Sequence, residues 1–537
     1  MSTKQLKFDA DARHDLRDGV AQMARAVGTT LGPSGRNVVM QKSFGGPDVT
    51  KDGISVAKEV ELQQPFQNMG ARMVHQVAKK TSDLAGDGTT TATILAEAIY
   101  TAGLRHVAAG CNSVAVQRGI NAAAVVAGDV INGLSKECRD REDLRKVATV
   151  SSNNDEMIGD LISQAIDRVG HEGVVEIEEG KTAETTLEYV EGMAFDKGFL
   201  SPYFMTDPKT AECVLEDAMV VLHEKKIANL ADLLPLLNKV ATAGKPLLII
   251  AEDVENEALA ALVVNRLRGV LQVCAVKAPG FGDRRKDMLG DIAALTGGLF
   301  LSEDLGRTLE DIELDELGSV NRVVVTKDGT TLIRGGGDEA EINSRVAQIK
   351  ARIERSTSDY DKEKLQERLA KLTGGVAIVS VGGMTEMEMK ETKDRVDDAL
   401  NATRAAAKEG SVPGGGVSYI RAIEAVKAAG KSIEGDESIG YSIIADAMER
   451  PAWQIAENAG QDGDVVVTRI ADGEGGFGYN AGTDVYEDLT AAGIIDPAFV
   501  VRIALQNAAS VAGLMLTTDV LITDLDDDTE VVNDAIC

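Results

Sequence analysis

The chain has 537 residues, which at roughly 150 per domain predicts three or four domains with several buried cores. Lys and Arg number 56 against 86 Asp and Glu, a formal charge of −30 that repels phosphate backbones and anionic membrane surfaces and argues against a nucleic-acid partner. Hydrophobic residues at 44% and charged residues at 26% fit a globular chain, while 4% aromatics and 54 glycines predict aliphatic cores, helical packing and many Gly-built turns.

The first residues, MSTKQLKFDADARHD, place charges every few positions with no apolar run, so no signal peptide is read and a cytoplasmic location is expected. A glycine turn follows at Thr30-Leu31-Gly32-Pro33. From Pro65 to about Leu84, Phe66, Met69, Met73, Val74 and Val77 share one face, which predicts a helix with Pro in its first turn. A second helix starts near Thr89. The centre alternates: strand from Pro246, helix Glu255 to Arg268, strand Leu271 to Val276, helix Asp283 to Leu295, the pattern of an α/β layer. Charged helices are predicted at about 340–355 and 359–372, then a strand over 376–381 and a helix from about Glu386 to Lys408. Ala-rich helices and Gly-rich turns complete the chain, which ends acidic from Asp524. The late uncharged stretch Ile503 to Thr518 is shorter than the roughly 18 apolar residues a membrane span requires, so no membrane role is expected. Five cysteines, scattered and without a C-x-x-C pair, predict reduced thiols and no zinc or iron–sulfur site.

Several enzyme signatures are missing. Neither His171-Glu172 nor His223-Glu224 has a second His four residues on, and no G-x-S-x-G elbow occurs. Gly180-Lys181-Thr182 and Gly430-Lys431-Ser432 end like P-loops, but Val175 and Ala425 stand where the first glycine belongs. Gly473 to Gly478 spells G-x-G-x-x-G yet runs into Tyr479-Asn480 instead of opening a helix, so it is read as a turn.

Gly86-Asp87-Gly88-Thr89-Thr90-Thr91 is the segment that carries chemistry. Two glycines let backbone N–H groups curl inward, a helix N-terminus adds positive partial charge, and threonine hydroxyls can donate to phosphate oxygens. Asp87 could then hold Mg²⁺ as a hard oxygen ligand. An ordinary N-cap with Thr in the first turn explains the same residues equally well. Thr30 to Pro33 and Pro413-Gly414-Gly415-Gly416 are further glycine turns, which together make nucleotide binding a fair suspicion.

LGPSGRNVVMQKSFGGPDVTKDGISVAKEVEL, DLAGDGTTTATILAEAI, GFLSPYF, APGFGDRRKDML, EGSVPGGGVSYIRA and GYNAGTDVYEDL resemble, in order and spacing, the group I chaperonins, the bacterial GroEL family. The resemblance covers Met1 to about Ile522, and GDGTTT alone is shared with the group II branch. It implies a multi-domain, ring-forming subunit. A discontinuous, mostly α-helical equatorial ATPase domain would span 1–134 and 410–524. A small α/β intermediate hinge domain would span 135–190 and 376–409, and an α/β apical domain 191–375, with 525–537 an acidic tail. Carried over, the ATP pocket is Thr30, Leu31, Gly32, Pro33, Lys51, Asp87, Gly88, Thr89, Thr90, Thr91, Gly415, Asn480, Ala481, Gly482 and Asp496. Asp87 would bind Mg²⁺, with K⁺ a further possible ion, and Asp52 and Asp398 would position or activate the attacking water. Gly192 and Gly375 match the family's hinges. The resemblance also implies heptameric rings, two of them stacked, a GroES-type co-chaperonin and non-native client proteins, bound through Phe199, Tyr203, Phe204, Leu234, Leu237, Leu259, Val263 and Val264.

Two helical wheels bear on this. On the helix from Glu386, Met389, Val396, Leu400, Thr403 and Ala407 share a face and Asp398 lies nearly opposite, where a carboxylate is ordinarily just solvated. In Glu255 to Arg268 the apolar residues spread over about 200°, wider than the roughly 100° one packed face needs, which leaves surface for a partner or for burial on both sides. Three departures stand out: Ser34 where the family usually has Lys, Trp453 where many relatives have a basic residue at the ring-to-ring contact, and a C-terminus without Gly-Gly-Met repeats. The expected activity is ATP-driven protein folding by encapsulation, an ATPase of the isomerase class. A passive holdase with weak ATP turnover is the rival, and a small-molecule kinase would need an acceptor pocket.

Overall fold

The computed structural model describes residues 3–41, 47–138, 140–152, 155–170, 173–180, 182–207, 210–302, 309–356 and 358–524, so the acidic tail from 525 lies outside the described residues. The chain divides into two compact units, Met1–Gln164 with Glu179–Glu184 and Val381–Cys537, and Ala165–Glu178 with Thr185–Ser380. Of the expected hinge segments, the helices Arg141–Ser151 and Glu386–Glu409 fall in the first unit, and the strand Thr186–Val190 with most of Val376–Val381 in the second.

The first unit is a helical core. Pro65–Ala85 begins with Pro in its first turn under a Gln64 side-chain cap and stops at Gly86, whose φ of 72° is a left-handed C-cap. Thr89–Ala108 and Ser113–Leu134 follow, the latter capped by Asn112, which accepts from Val114 and Ala115 N–H at 3.0 and 3.1 Å. The last helix, Ala498–Leu516, packs against all three and buries Val501, Ala504, Leu505, Ala508 and Ala512 among them. Small side chains permit that close packing, which is how a chain poor in aromatics fills its interior. Ser113–Leu134 and Ala498–Leu516 are long and apolar enough to cross a membrane, with mean hydropathy 1.3 and 1.5. Both are built into this core, and buried Asn507 donates to Thr81 Oγ1 at 3.1 Å. Trp453 is partly buried beside the same core with the Arg450 guanidinium 3.7 Å from its ring centre.

The second unit is the α/β layer. Its seven-stranded sheet runs Gly192–Phe195, Thr330–Gly335, Gly318–Val325, Cys213–His223, Leu247–Ala251, Val273–Lys277, with Phe300–Leu301 also on Cys213–His223. Cys213–His223, Leu247–Ala251 and Val273–Lys277 are parallel, connected through the helices Leu230–Ala243 and Asn256–Leu267, while the other end of the sheet is antiparallel. Leu247 to Ala251 are all fully buried, as a central parallel strand covered on both faces must be. Three further helices are tied by charge: fully buried Asp291 accepts from Arg345 Nε at 2.7 Å and Arg368 Nη2 at 2.9 Å, and Asp287 pairs with Arg368 and Arg352, each at 2.8 Å. A three-stranded sheet, Val174–Glu179, Val376–Val381, Thr186–Val190, has Val376–Val381 in the middle. Gly375 precedes that strand at φ 65°, and at Gly192 a Cβ would lie 2.5 Å from both Leu332 O and Val376 Cγ2.

Candidate functional site

A cleft of about 500 Å³ lies wholly within the first unit, lined by nine separate segments of the described residues. The turn after the helix Asp9–Gly28 brings Thr30, Leu31, Gly32 and Pro33 to one wall. It is pinned from outside by Asn458, whose amide donates to Gly28 O at 2.9 Å and Leu31 O at 2.8 Å. Lys51 and Asp52 enter ahead of the helix Gly53–Glu59. Asp52 is its N-cap: Oδ1 accepts from Ile54 N at 3.2 Å and Oδ2 from Ser55 N at 2.9 Å, so the carboxylate is held rigidly at the rim of its helix.

Asp87, Gly88, Thr89, Thr90 and Thr91 form the next wall. Gly88 caps the Thr89 helix at φ 81°, and a Cβ there would meet Val500 Cγ1 at 2.6 Å, so the turn admits only glycine. Because the cap has no side chain, the first N–H groups of the helix have no capping oxygen and remain available to an anion. Thr90 Oγ1 reaches Thr30 Oγ1 at 3.4 Å, joining the two glycine turns.

The strand pair Ser411–Pro413 and Ile495–Pro497, registered Val412 opposite Asp496, places Gly415 and Asp496 on the same cleft. The hairpin Phe477–Asn480 and Val485–Asp488 brings Asn480 and Ala481, whereas Gly482 stands just beyond the wall and donates its N–H to Asn480 Oδ1 at 3.0 Å. Ser34, the residue in place of the family's Lys, donates to Ala481 O at 3.4 Å and so connects the first turn to this hairpin.

Asp398 corrects the reading of its wheel. It does lie off the apolar face of Glu386–Glu409, but that side faces the cleft, not bulk water, in company with Asp394, Asp397 and Asn401. Arg395 on the same helix is committed elsewhere, to Asp155 at 3.0 Å and Glu391 at 2.9 Å. Ser151, Asn401 and Tyr419 were not foreseen as wall residues. The signal for Asn401 was present, since it stands one helical turn after Asp398.

Carboxylates dominate the electrostatics. Burial raises the Asp87 carboxyl, with Asp52 adding to the rise while Gly88 N–H and the Ser151 hydroxyl oppose it. Asp398 is pushed well above the usual range by burial and then by Asp87 and Asp52. Asp496 is raised to about 7 by burial and by Asp87. Like charges gathered in a partly desolvated space resist ionisation, and a cation among them relieves that resistance. The cleft therefore offers helix N–H groups and hydroxyls for an anion beside carboxylates that call for a cation.

On the second unit, the expected apolar set separates by exposure. Tyr203 at 63%, Leu234 at 49% and Val264 at 43% are open to solvent. Phe199, Leu259 and Val263 are half-buried against the core, while Phe204 at 0% and Leu237 at 6% are inside it. Phe204 and Leu237 are thus not free contact residues here. Leu237 sits three residues from Leu234 on Leu230–Ala243, turned onto the sheet side with Leu233 and Leu236. The helices Leu230–Ala243 and Asn256–Leu267 are neighbours, and Leu267, outside the expected set, is also exposed.

Residues 23–525 match the sequence profile of the TCP-1/cpn60 chaperonin family.

Proposed function

Because the chain belongs to the TCP-1/cpn60 chaperonin family, ATP-dependent protein-folding chaperones that bind client proteins and form oligomeric rings, we propose that the cleft of the first unit is its ATPase site. The observation that carries this is the convergence of Asp52, Asp87 and Asp398 beside the uncapped N-terminus of the Thr89 helix. A triphosphate alone would be repelled by these carboxylates, so it must enter with a cation. Mg²⁺ suits the donor set, as it is commonly held by one or two carboxylates plus phosphate oxygens. Asp87 would hold it, and it would supply charge neutralisation for phosphoryl transfer. Thr30 to Pro33 and Gly88 to Thr91 would bind the phosphates through N–H and hydroxyl donors, and Asn480 and Ala481 would face the base.

Hydrolysis then depends on orientation. Asp398, its carboxyl raised by burial and then by its acidic neighbours, is suited to accept a proton from a water aligned with the terminal phosphate, and Asp52, fixed by its two backbone hydrogen bonds, to orient that water. Exposed Tyr203, Leu234 and Val264 would capture non-native chains by area-dependent, non-directional attraction, which suits varied clients. We assign the protein to the group I branch on its motifs, with a heptameric ring, a GroES-type co-chaperonin and a cytoplasmic site of action. Electron microscopy of the purified protein with ATP, with and without such a co-chaperonin, tests this: capped seven-fold rings are expected. A monomer that binds unfolded protein without ATP turnover would replace the machine with a passive holdase.

A further inference from the structure

The hairpin beside the cleft has two unlike faces. Its register sets Gly478 opposite Glu487 and Asn480 opposite Val485, and the two-residue alternation of strands puts those four on one side, with Phe477, Tyr479 and Tyr486 on the other. The second side is clamped by rings: Tyr486 stacks on Phe477 with centroids 6.2 Å apart and lies 5.2 Å from Tyr479, while the Arg469 guanidinium sits 3.8 Å from its centre. Tyr479 also donates to Asp484 at 2.9 Å. The hairpin is therefore a firm platform for whatever its first side carries.

That side carries an amide held at both ends. Asn480 Nδ2 donates to Glu487 Oε1 at 2.8 Å, and Asn480 Oδ1 accepts from Gly482 N–H at 3.0 Å. Gly478, directly across from Glu487, packs closely on the unit's interior, where a Cβ would meet Val417 Cγ2 at 2.5 Å and Leu489 Cδ1 at 2.7 Å, so the Glu487–Asn480 diagonal rests on a close-packed base.

We propose that Glu487 is a positioning residue that locks the Asn480 amide in one of its two flips and so sets which purine the cleft accepts, a reading that rests on the cleft being a nucleotide site. The two flips of an amide have nearly the same shape and exchange donor for acceptor. An ionised carboxylate only accepts and a backbone N–H only donates, so Glu487 and Gly482 demand the same flip. Asn480 then offers the cleft one N–H and one oxygen lone pair in fixed order. Adenine presents an amino donor next to a ring-nitrogen acceptor, while guanine presents a carbonyl acceptor next to a ring N–H donor. The two edges exchange roles at the same positions, so a locked amide complements one purine and opposes the other, whereas a freely flipping amide serves both. Site groups left unpaired by the wrong ligand are what make such discrimination large.

The test uses the full-length protein and two variants, Glu487→Gln, which keeps the shape but can both donate and accept, and Glu487→Ala. Affinities for ADP and GDP, each with Mg²⁺, are measured by calorimetry alongside thermal melting. Wild type should prefer ADP, and in both variants the ADP-to-GDP affinity ratio should fall about tenfold, GDP gaining while ADP weakens, with the melting temperature held. A ratio unchanged in both variants, or equal weakening of both nucleotides, would overturn the lock while leaving the nucleotide site intact. Failure of the wild-type protein to bind either nucleotide would overturn the lock and the site together.

Discussion

The cleft of the first unit and the apolar face of the second are built by opposite rules. In the cleft, polar groups from segments far apart in the chain must meet, and local devices hold them: a cap at Asp52, a left-handed glycine at 88, a strand register at Asp496. On the apolar face no single contact is required, and a residue's role turns on which side of its helix faces the sheet. Leu234 and Leu237, three residues apart, illustrate this: one is half exposed, the other in the core. A directional site is therefore sensitive to single atoms, whereas a non-directional one responds to area.

The sharpest break in the comparison is Asp87→Lys, which would put an ammonium group where the nucleotide's cation is expected. Nucleotide affinity should fall by at least about two orders of magnitude with the fold retained, read by calorimetry and circular dichroism.

Arg368→Leu comes next, in the second unit, where it leaves fully buried Asp291 with a single guanidinium partner, that of Arg345. Removing one partner of a buried ion pair costs about 3–5 kcal/mol, so the denaturation midpoint of that unit should drop while the cleft still binds nucleotide.

Leu237→Glu against Leu234→Glu sharpens the apolar side. Burying a carboxylate at Leu237 should cost several kcal/mol, roughly 2–5, and melt the second unit early. Leu234→Glu should leave melting nearly unchanged and weaken capture of a denatured client. The reverse pattern would show Leu237, not Leu234, to be the contact residue on this helix.

The smallest effect is on pH. Asp496 has its carboxyl raised to about 7 in the fold, so its contribution to stability is complete below the ordinary carboxylate range and is lost as pH rises through about 7. Ligand-free protein should melt lower at pH 8 than at pH 6, by at most ~1.4 kcal/mol per pH unit from this group. Asp496→Asn should flatten that difference.

Much of this was legible in the sequence. The helix read from Pro65 ends at Ala85 because Gly86 stops it, and the central strands and helices fall within a residue or two of where periodicity puts them. The glycine turns that line the cleft were legible as turns, because paired glycines ahead of a helix have few other uses, although their spacing alone fits an ordinary N-cap equally well. Asp398 was named through the resemblance and not through its wheel: a wheel tells which side is apolar, but not whether the other side meets water or a cavity built by distant segments. The burial of Phe204 and Leu237 was hidden for the same reason, since an apolar side chain looks alike whether a partner or the chain's own core covers it. The cap that Asp52 makes by accepting from the Ile54 and Ser55 N–H groups, by contrast, is a local pattern that any aspartate ahead of a short helix can form.

Asp398 is also where the account is most directly tested. In single-turnover experiments on Asp398→Ala, ATP should still bind, because Thr30 to Pro33 and Asp87 to Thr91 are untouched, while hydrolysis slows about a hundredfold or more. The variant should then accumulate with ATP bound. Near-normal hydrolysis would show Asp398 to be one more carboxylate on the wall, and would contradict the claim that this cleft is an ATPase whose water is handled by that residue.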